Sequence, residues 1–249
     1  MINMNRFFVA QENVSEGQVA LAPEQAHQIR DVLRLKVGDN IIILDNTGLE
    51  YLVRLSAVER DSAVGDVIEK RPATGEPRTH ITLYQSMPAR EKFEYILQKC
   101  TEVGVCEFVP VITQRSVVRG SSGQDRTARW RRIITEAAEQ SGRGRIPELR
   151  EAVEFDKAVH AIACFERCII AAVGAKGAGL REVLHCGPVA PVRIALFIGP
   201  EGGFTDDEIR LACAKGAAAI NLGKRILRTE TAAVVASALI LHELGETGP

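Results

Sequence analysis

Two glycine-containing turns carry the residues best suited to chemistry in this 249-residue sequence. In the first, an apolar run ends at Gly199, and three glycines fall within the five residues that end at Gly203. Glycine lets the backbone adopt positive φ and approach a ligand closely. Thr205 and Glu208 have the spacing of a capping box, which predicts a helix start whose free N–H groups can bind a ligand. A tight strand-to-helix turn without a ligand explains an isolated glycine cluster equally well.

The second turn, at residues 222–231, repeats this arrangement. An apolar strand leads to Gly223 and then to a loop with Arg225, Arg228 and Glu230 before another helix. Neither turn has G-x-G-x-x-G with an acidic residue about 20 positions further on, and G-x-x-x-x-G-K-[ST] is absent. A dinucleotide site and a P-loop are therefore excluded, and two turns that face one ligand predict another nucleotide-like cofactor.

The elements that hold these turns are predicted by the pattern after residue 77. Apolar stretches typical of buried strands are ITLYQSM, FVPVI, CIIAAV, IALFI and AAINL. Apolar residues at helical spacing predict helices at about 90–103 and 125–141, after Thr205, and at 229–244. This alternation indicates an α/β fold with a parallel sheet covered by helices. The last helix is apolar almost all round, so it packs inside the domain or against a second subunit, and we expect a homodimer.

The first 70 residues have a different pattern, with short strands at RFFVA, NIIILD, YLVRLSAV and AVGDVIE. These strands predict a small β-barrel. One helix is predicted at 27–35, with Ile29, Val32 and Leu33 on one face. Residues 71–77 combine two prolines, a glycine and opposite charges, a composition typical of a linker. We therefore expect one domain at 1–72 and a second at 73–249.

Charge is segregated along the chain. The formal net charge is −1, yet residues 113–150 contain nine arginines against four acidic residues. This basic block is either a solvated helix surface or a phosphate-binding surface, and charge alone does not decide between them.

The bulk composition limits the class of protein. The six cysteines include no Cys-x-x-Cys, so we expect neither a zinc site nor a disulfide framework and predict no metal. No stretch approaches the roughly 20 apolar residues of a membrane span, and the first residues lack a signal-peptide pattern. We expect a soluble, cytoplasmic protein.

The two turns also resemble a known family. GPEGGF at 199–204 together with LGKRILRTETA at 222–232 is similar to the RsmE family, the 16S rRNA uridine-N3 methyltransferases of the SPOUT class. The resemblance covers nearly the whole chain, including RFF, QKCTEVGV, VPVITQRSVV and RWRRIITEAAEQSGR. It departs from the family pattern mildly at Cys100, Cys106 and Lys224. By this resemblance, a PUA-like RNA-binding β-barrel precedes a SPOUT methyltransferase domain with a deep trefoil knot, usually dimeric.

The resemblance implies S-adenosyl-L-methionine as the cofactor, held largely by main-chain groups of both turns. The implied cofactor-binding residues are Ile198, Gly199, Glu201, Gly202, Gly203, Leu222, Gly223, Ile226, Leu227 and Thr231. Spacing alone would make Ile226 and Leu227 ordinary core residues.

The implied target is N3 of a uridine in 16S rRNA of the assembled small ribosomal subunit. Its imide proton must leave before or during attack, which requires a base or a cation that stabilises the anion. Arg228 and Glu230 are the predicted catalytic residues, with Arg228 stabilising charge on the uracil oxygens and Glu230 accepting the proton or orienting Arg228. A structural ion pair at a helix start is the alternative for these two residues.

RNA contacts are predicted on both domains. The predicted residues are Arg6, His27, Arg30, Arg34, Arg115, Arg129 and Arg143. Arg143 and Gln140 are also predicted to reach the site of a partner subunit. Two other functions stay open: a ribosome-binding accessory protein without catalysis, and a methyltransferase of the same class that acts on another RNA, such as transfer RNA.

Overall fold

The first unit is built around short strands of alternating apolar residues. A computed structural model of the chain describes residues 4–15, 17–116, 124–175, 177–186 and 192–247. The strands of the first unit are β1 (Arg6–Phe8), β2 (Val14–Ser15), β3 (Gln18–Leu21), β4 (Asn40–Leu44), β5 (Leu49–Val58) and β6 (Ala63–Pro72). They pair in the order β1-β4-β5-β6-β3-β2, antiparallel except for β1 with β4. Inward-facing side chains such as Val19, Ile41 and Val53 form its core.

The helix of this unit differs from the prediction. Helix α1 (Pro23–His27) begins earlier than predicted and continues as a π-helical turn at Gln28–Val32. A π turn holds one more residue than an α-helical turn and so shifts the side chains that follow it. Ile29 is buried as predicted, but Val32 is 67% exposed, so the predicted shared face is wrong at Val32.

The second unit contains a wholly parallel sheet. Its strands are β7 (His80–Ser86), β8 (Glu107–Ile112), β9 (Glu148–Leu149), β10 (Val153–Glu154), β11 (Arg167–Ala171), β12 (Arg193–Ile198) and β13 (Ala218–Ile220). The order is β10-β8-β7-β12-β11-β13, and β9 also pairs with β8. The inner strands β7 and β12 are buried along almost their whole length, as strands covered on both faces must be. The predicted α/β fold with a parallel sheet is confirmed.

The long helices of this chain lie where the spacing of apolar residues predicts them. They are α2 (Arg90–Val103), α3 (Gln124–Ser141), α4 (Phe155–His160), α5 (Leu180–His185), α6 (Asp206–Ala214) and α7 (Thr229–Glu243), with 3-10 turns at Gln11–Asn13 and Ala161–Cys164. The sequence did not predict α4 and α5, since each has only six residues and offers too few turns for a periodic pattern. In the described part of the chain, no helix has the length and apolar character needed to cross a membrane.

The two units divide the chain unevenly. The first comprises Met1–Glu76 and Thr135–Ile146, and the second comprises Pro77–Ile134 and Pro147–Pro249. The sequence predicts two contiguous domains, whereas the end of α3 belongs to the first unit. Residues 71 and 72 of the predicted linker are the last residues of β6.

Candidate active site

A cavity of about 550 Å³ opens where β11 and β12 end. Its walls include the chain segments 171–173, 198–204 and 226–229, and Ala232 from the first turn of α7. Two of these segments follow the carboxyl ends of neighbouring parallel strands, which is where open α/β sheets bind ligands. The structure thus brings the two predicted glycine turns to one cavity.

Close backbone packing shapes the first turn. A side-chain carbon added to Gly199 would lie 3.2 Å from Phe204. Gly203 has a φ of +68°, a conformation that favours glycine. Phe204 is buried and packs against the ring of Phe155, with the ring centroids 5.4 Å apart. The buried phenylalanine anchors the turn, and the glycines leave room for a ligand beside its main chain.

Two cationic side chains that also line the cavity hold the same turn. Lys92 Nζ on α2 lies 2.7 Å from Glu201 Oε1, and Arg115 Nη1 donates to the carbonyl of Gly202 over 2.7 Å. Partial burial alone would raise the pKa of Glu201, but the hydrogen bond and charge of Lys92 together with backbone N–H groups outweigh burial, so the pKa lies below its usual value. Glu201 is therefore a fixed anion that orders the turn.

The second turn presents an aliphatic side chain to the cavity. Gly223 has a φ of +114° and donates its N–H to Asn221 Oδ1 over 3.2 Å. Ile226 lines the cavity with 82% of its surface exposed, and Leu227 beside it is half-buried. Such exposure of a large aliphatic side chain is costly in water, so it suits a wall that a ligand covers.

The third wall was missed by the sequence analysis. Ala171 ends β11 and is followed by Ala172 and Val173, and Val173 is 75% exposed at the cavity. The available signal was the strand CIIAAV itself, because its carboxyl end must lie beside that of IALFI if the two pair in parallel.

The predicted cofactor residues divide into two groups. The cavity is lined by Ile198, Gly199, Glu201, Gly202, Gly203, Ile226 and Leu227. Leu222, Gly223 and Thr231 are not among its lining residues. Thr231 is exposed on α7, whereas Thr229 and Ala232, three positions apart on one helical face, line the cavity.

Arg228 and Glu230 flank the start of α7. Arg228 is exposed and lines the cavity, and Glu230 is half-buried with no hydrogen-bond partner for its buried Oε2. Across the described residues, neither side chain forms an ion pair or hydrogen bond. The structural ion pair between them is therefore not present in this part of the chain.

Residues predicted to contact RNA on the first unit are at its surface. His27 Nδ1 lies 2.5 Å from Asp31, and Arg30 reaches the same carboxylate at 2.6 Å. The hydrogen bond from Arg30 lowers the pKa of Asp31 to about 2. Arg34 is exposed with a φ of +57°, and Arg6 is half-buried.

On the second unit, Arg115 and Arg129 are already engaged. Arg115 binds the glycine turn, and Arg129 forms two hydrogen bonds of 2.7 and 2.9 Å to Glu94 while remaining exposed. Arg119 of the predicted basic block lies outside the described residues.

The prediction that Arg143 contacts RNA or a partner subunit is wrong. Only 2% of its side chain is exposed, and its guanidinium binds Glu76 within the first unit over 3.0 and 3.1 Å. A guanidinium that is buried against a carboxylate has no face left for a phosphate.

Comparisons with known proteins agree with this fold. Residues 75–241 match the model of the RNA methyltransferase domain, and residues 21–68 match that of the RNA methyltransferase PUA domain. The fold and the site therefore define the class of RNA methyltransferases that carry a PUA domain.

Two curated relatives narrow the class. The ribosomal RNA small subunit methyltransferase E of Synechocystis sp. is 37% identical over 94% of this chain and 76% of its own length. That of Bacillus subtilis is 30% identical over 96% of this chain and 97% of its own length. The chain belongs to the ribosomal RNA small subunit methyltransferase E (RsmE) family.

Solved structures give the same fold. The ribosomal RNA small subunit methyltransferase E of Neisseria gonorrhoeae, solved bound to S-adenosylmethionine, has a TM-score of 0.86 and 32% identity over 96% of this chain and 97% of its own. A methyltransferase of Legionella pneumophila, solved with the same cofactor, has a TM-score of 0.85 and 31% identity over 97% of this chain and 98% of its own.

Proposed function

We propose that this protein uses S-adenosylmethionine to methylate N3 of one uridine in 16S rRNA of the small ribosomal subunit. The observation that carries the proposal is the cavity at the ends of β11 and β12, lined by both the first glycine turn and the loop that leads into α7. Two findings support S-adenosylmethionine as the cofactor: the chain belongs to the family, and two similar structures were solved with this cofactor bound.

The cavity suits an adenosine-containing ligand. Val173 and Ile226 expose aliphatic surface that can cover the faces of a planar base. The main chain near Gly199 and Gly203 offers hydrogen-bonding groups without side-chain bulk. The chain therefore supplies shape and main-chain polar groups, the combination expected of a preformed cofactor site.

The chemistry requires positioning and removal of one proton. S-adenosylmethionine supplies an electrophilic methyl group on a sulfonium. The protein must hold uracil N3 in line with that methyl group and accept the imide proton. Glu230 is the proposed base, because it is the carboxylate nearest in sequence to Arg228 at the start of α7 and its Oε2 accepts no hydrogen bond within the described part of the chain.

Arg228 is the proposed electrostatic partner. Its exposed guanidinium at the cavity can stabilise the negative charge that develops on the uracil oxygens as the proton leaves. Its lack of an ion pair in the described residues keeps this charge available for the substrate.

We assign the RNA-binding role to basic residues of both units that are exposed or half-buried. Arg6, His27, Arg30 and Arg34 would contribute from the PUA-like domain, and Arg115 and Arg129 from the methyltransferase domain. Such contacts position the phosphates and do not read sequence. Arg115 and Arg129 each keep donors beyond those bound to Gly202 and Glu94.

The proposal includes a SPOUT-type trefoil knot, a homodimer and a cytoplasmic location. In support of the knot, GPEGGF at 199–204 and LGKRILRTETA at 222–232 resemble the family from which the knot was predicted. In support of the dimer, Tyr95 on α2 and Leu239 on the neighbouring α7 leave large apolar surface exposed. In support of a cytoplasmic location, the proposed substrate is a ribosomal RNA, and the relatives of this chain are named ribosomal RNA methyltransferases.

Methyl transfer from labelled S-adenosylmethionine tests the function. We expect incorporation into assembled small subunits that lack the modification and much less into naked 16S rRNA. Preferential incorporation into transfer RNA would instead identify transfer RNA as the substrate. If none of the three RNA substrates incorporated label and calorimetry showed no cofactor binding, the protein would instead be a ribosome-binding accessory protein without catalysis.

A further inference from the structure

Three residues of the second unit form a buried hydrogen-bonded chain that ends at the cavity. Gln85 is the penultimate residue of β7 and is fully buried. Its Nε2 donates to Thr229 Oγ1 over 3.0 Å, and Thr229 Oγ1 donates to the carbonyl of Gly199 over 2.6 Å. Thr229 and Gly199 line the cavity, one at the start of α7 and the other at the end of β12.

The direction of this chain is set by chemistry. Gln85 Nε2 also donates to the carbonyl oxygen of Ser86 over 2.9 Å, and a carbonyl oxygen can only accept. The amide nitrogen therefore faces Ser86 and Thr229, so the threonine hydroxyl accepts from Gln85. Its own proton is then directed to Gly199, whose carbonyl also only accepts.

Packing alone does not explain a glutamine at this position. Its Oε1 is buried with no hydrogen-bond partner in the described part of the chain. An unsatisfied buried acceptor is destabilising, and an apolar side chain of similar length would avoid that cost. What the amide provides is a donor that fixes the hydroxyl of Thr229.

We propose that Gln85 and Thr229 are positioning residues that set the separation between the first glycine turn and the start of α7, and so set the affinity for the cofactor. This inference rests on the proposed function of the cavity. Gly199 belongs to the lining segment 198–204 and Thr229 to the segment 226–229, so their hydrogen bond fixes these two segments relative to each other, as a preorganised cofactor site requires.

The test compares matched variants by calorimetry with S-adenosylmethionine, well below their melting temperatures. Thr229→Val keeps the shape and removes the hydroxyl, and we expect it to raise the cofactor Kd about tenfold. Thr229→Ser restores the hydroxyl and should bind within about twofold of wild type. Gln85→Met should raise the cofactor Kd as much as Thr229→Val does. The double variant should have the same Kd as either single variant, because each substitution breaks the same hydrogen-bonded chain.

Thr101→Val is the control for the effect that removal of any buried threonine hydroxyl has on cofactor binding. Thr101 is fully buried on α2 and donates to the carbonyl of Leu97 over 2.7 Å, outside the cavity lining. We expect its cofactor Kd to be unchanged. In turnover assays, Thr229→Val should raise KM for the cofactor and leave KM for RNA unchanged.

Unchanged cofactor Kd in folded Thr229→Val would overturn the inference, as would equal weakening in Thr101→Val. If Thr229→Val does not fold, Gln85→Met with a wild-type Kd would overturn it in the same way. Wild-type protein that does not bind the cofactor would instead contradict the proposed function.

Discussion

The guanidinium of Arg143 binds the carboxylate of Glu76 through two hydrogen bonds of 3.0 and 3.1 Å in a buried pocket of the first unit. Glu76 also accepts the backbone N–H of Arg145 over 3.0 Å. A side-chain carbon added to Gly75 would lie 2.3 Å from the carbonyl of Gly142, so only glycine permits this approach. The pair therefore fixes the end of α3 against the linker that leaves the PUA-like domain.

Replacement of Arg143 should reduce stability. Arg143→Met leaves Glu76 without its buried cation, and we expect a loss of about 3 kcal/mol in the free energy of unfolding. Arg129→Ala breaks an exposed pair with Glu94 and should cost at most about 1 kcal/mol. Urea denaturation at pH 7 measures both. If Arg143→Met bound RNA more weakly at unchanged stability, Arg143 would contact RNA after all, against what its burial indicates.

The glycine turn offers a second test, which separates backbone strain from ligand binding. Gly203 and Gly216 have φ values of +68° and +102°, and a methyl group on either would meet no atom within 4 Å. Alanine in this region costs about 1 kcal/mol, so both Gly203→Ala and Gly216→Ala should lose similar stability. We expect only Gly203→Ala to bind S-adenosylmethionine more weakly, because Gly216 is outside the cavity lining. Equal Kd values in calorimetry would remove the first turn from the cofactor site.

Glu230→Gln tests the proposed base. The amide keeps the size of the side chain but accepts a proton poorly, so kcat should fall about 100-fold or more. KM for the cofactor should not change, since Glu230 does not line the cavity. Glu151→Gln, at an exposed carboxylate, is the matched control and should be fully active. If Glu230→Gln and Arg228→Ala both retain wild-type kcat at saturating cofactor, neither residue takes part in the reaction.

Stability should depend on pH through Glu139. Burial raises the pKa of Glu139, although its carboxylate accepts the backbone N–H of Phe8 over 2.9 Å. Between the unfolded pKa of about 4.3 and the raised folded value, the folded state binds more protons than the unfolded state. The contribution of Glu139 to stability therefore falls as the pH rises through this window.

Glu139→Gln removes this titration and keeps an acceptor for Phe8. We expect the variant to gain stability over wild type as the pH rises from 4 to 8, measured by denaturation at each pH. Glu12→Gln, at an exposed carboxylate in the same unit, should follow the wild-type curve. A constant difference between Glu139→Gln and wild type across this range would contradict the raised pKa.

Sequence periodicity predicts the long elements of this fold well. Helix α2 begins and ends at the predicted residues, because Phe93, Ile96 and Leu97 mark its buried face and Gly104 ends it with a φ of +123°. The π turn after α1 was missed because the extra residue breaks the period on which the prediction relies. A knot, too, lies outside such reasoning, since periodicity carries no information about threading.

Charge was the least informative signal. Arg129, Arg143 and Arg150 belong to one basic block, yet they bind Glu94, Glu76 and Glu107. Each of these glutamates is more than 30 positions away in the sequence, so only tertiary structure shows which arginines are paired. The glycine turns were easier to find, because a close approach of the backbone requires a specific residue type. The wall at 171–173 carries no such residue type and was missed.

The position of the methyl group tests the central claim most directly. Small subunits that lack the modification would be incubated with the protein and S-adenosylmethionine, and their 16S rRNA digested and analysed by nucleoside mass spectrometry against authentic methyluridines. We predict 3-methyluridine at one site, and none with Glu230→Gln protein at matched short times. Methylation at C5 or the ribose 2′-hydroxyl, or on another base, would contradict the account.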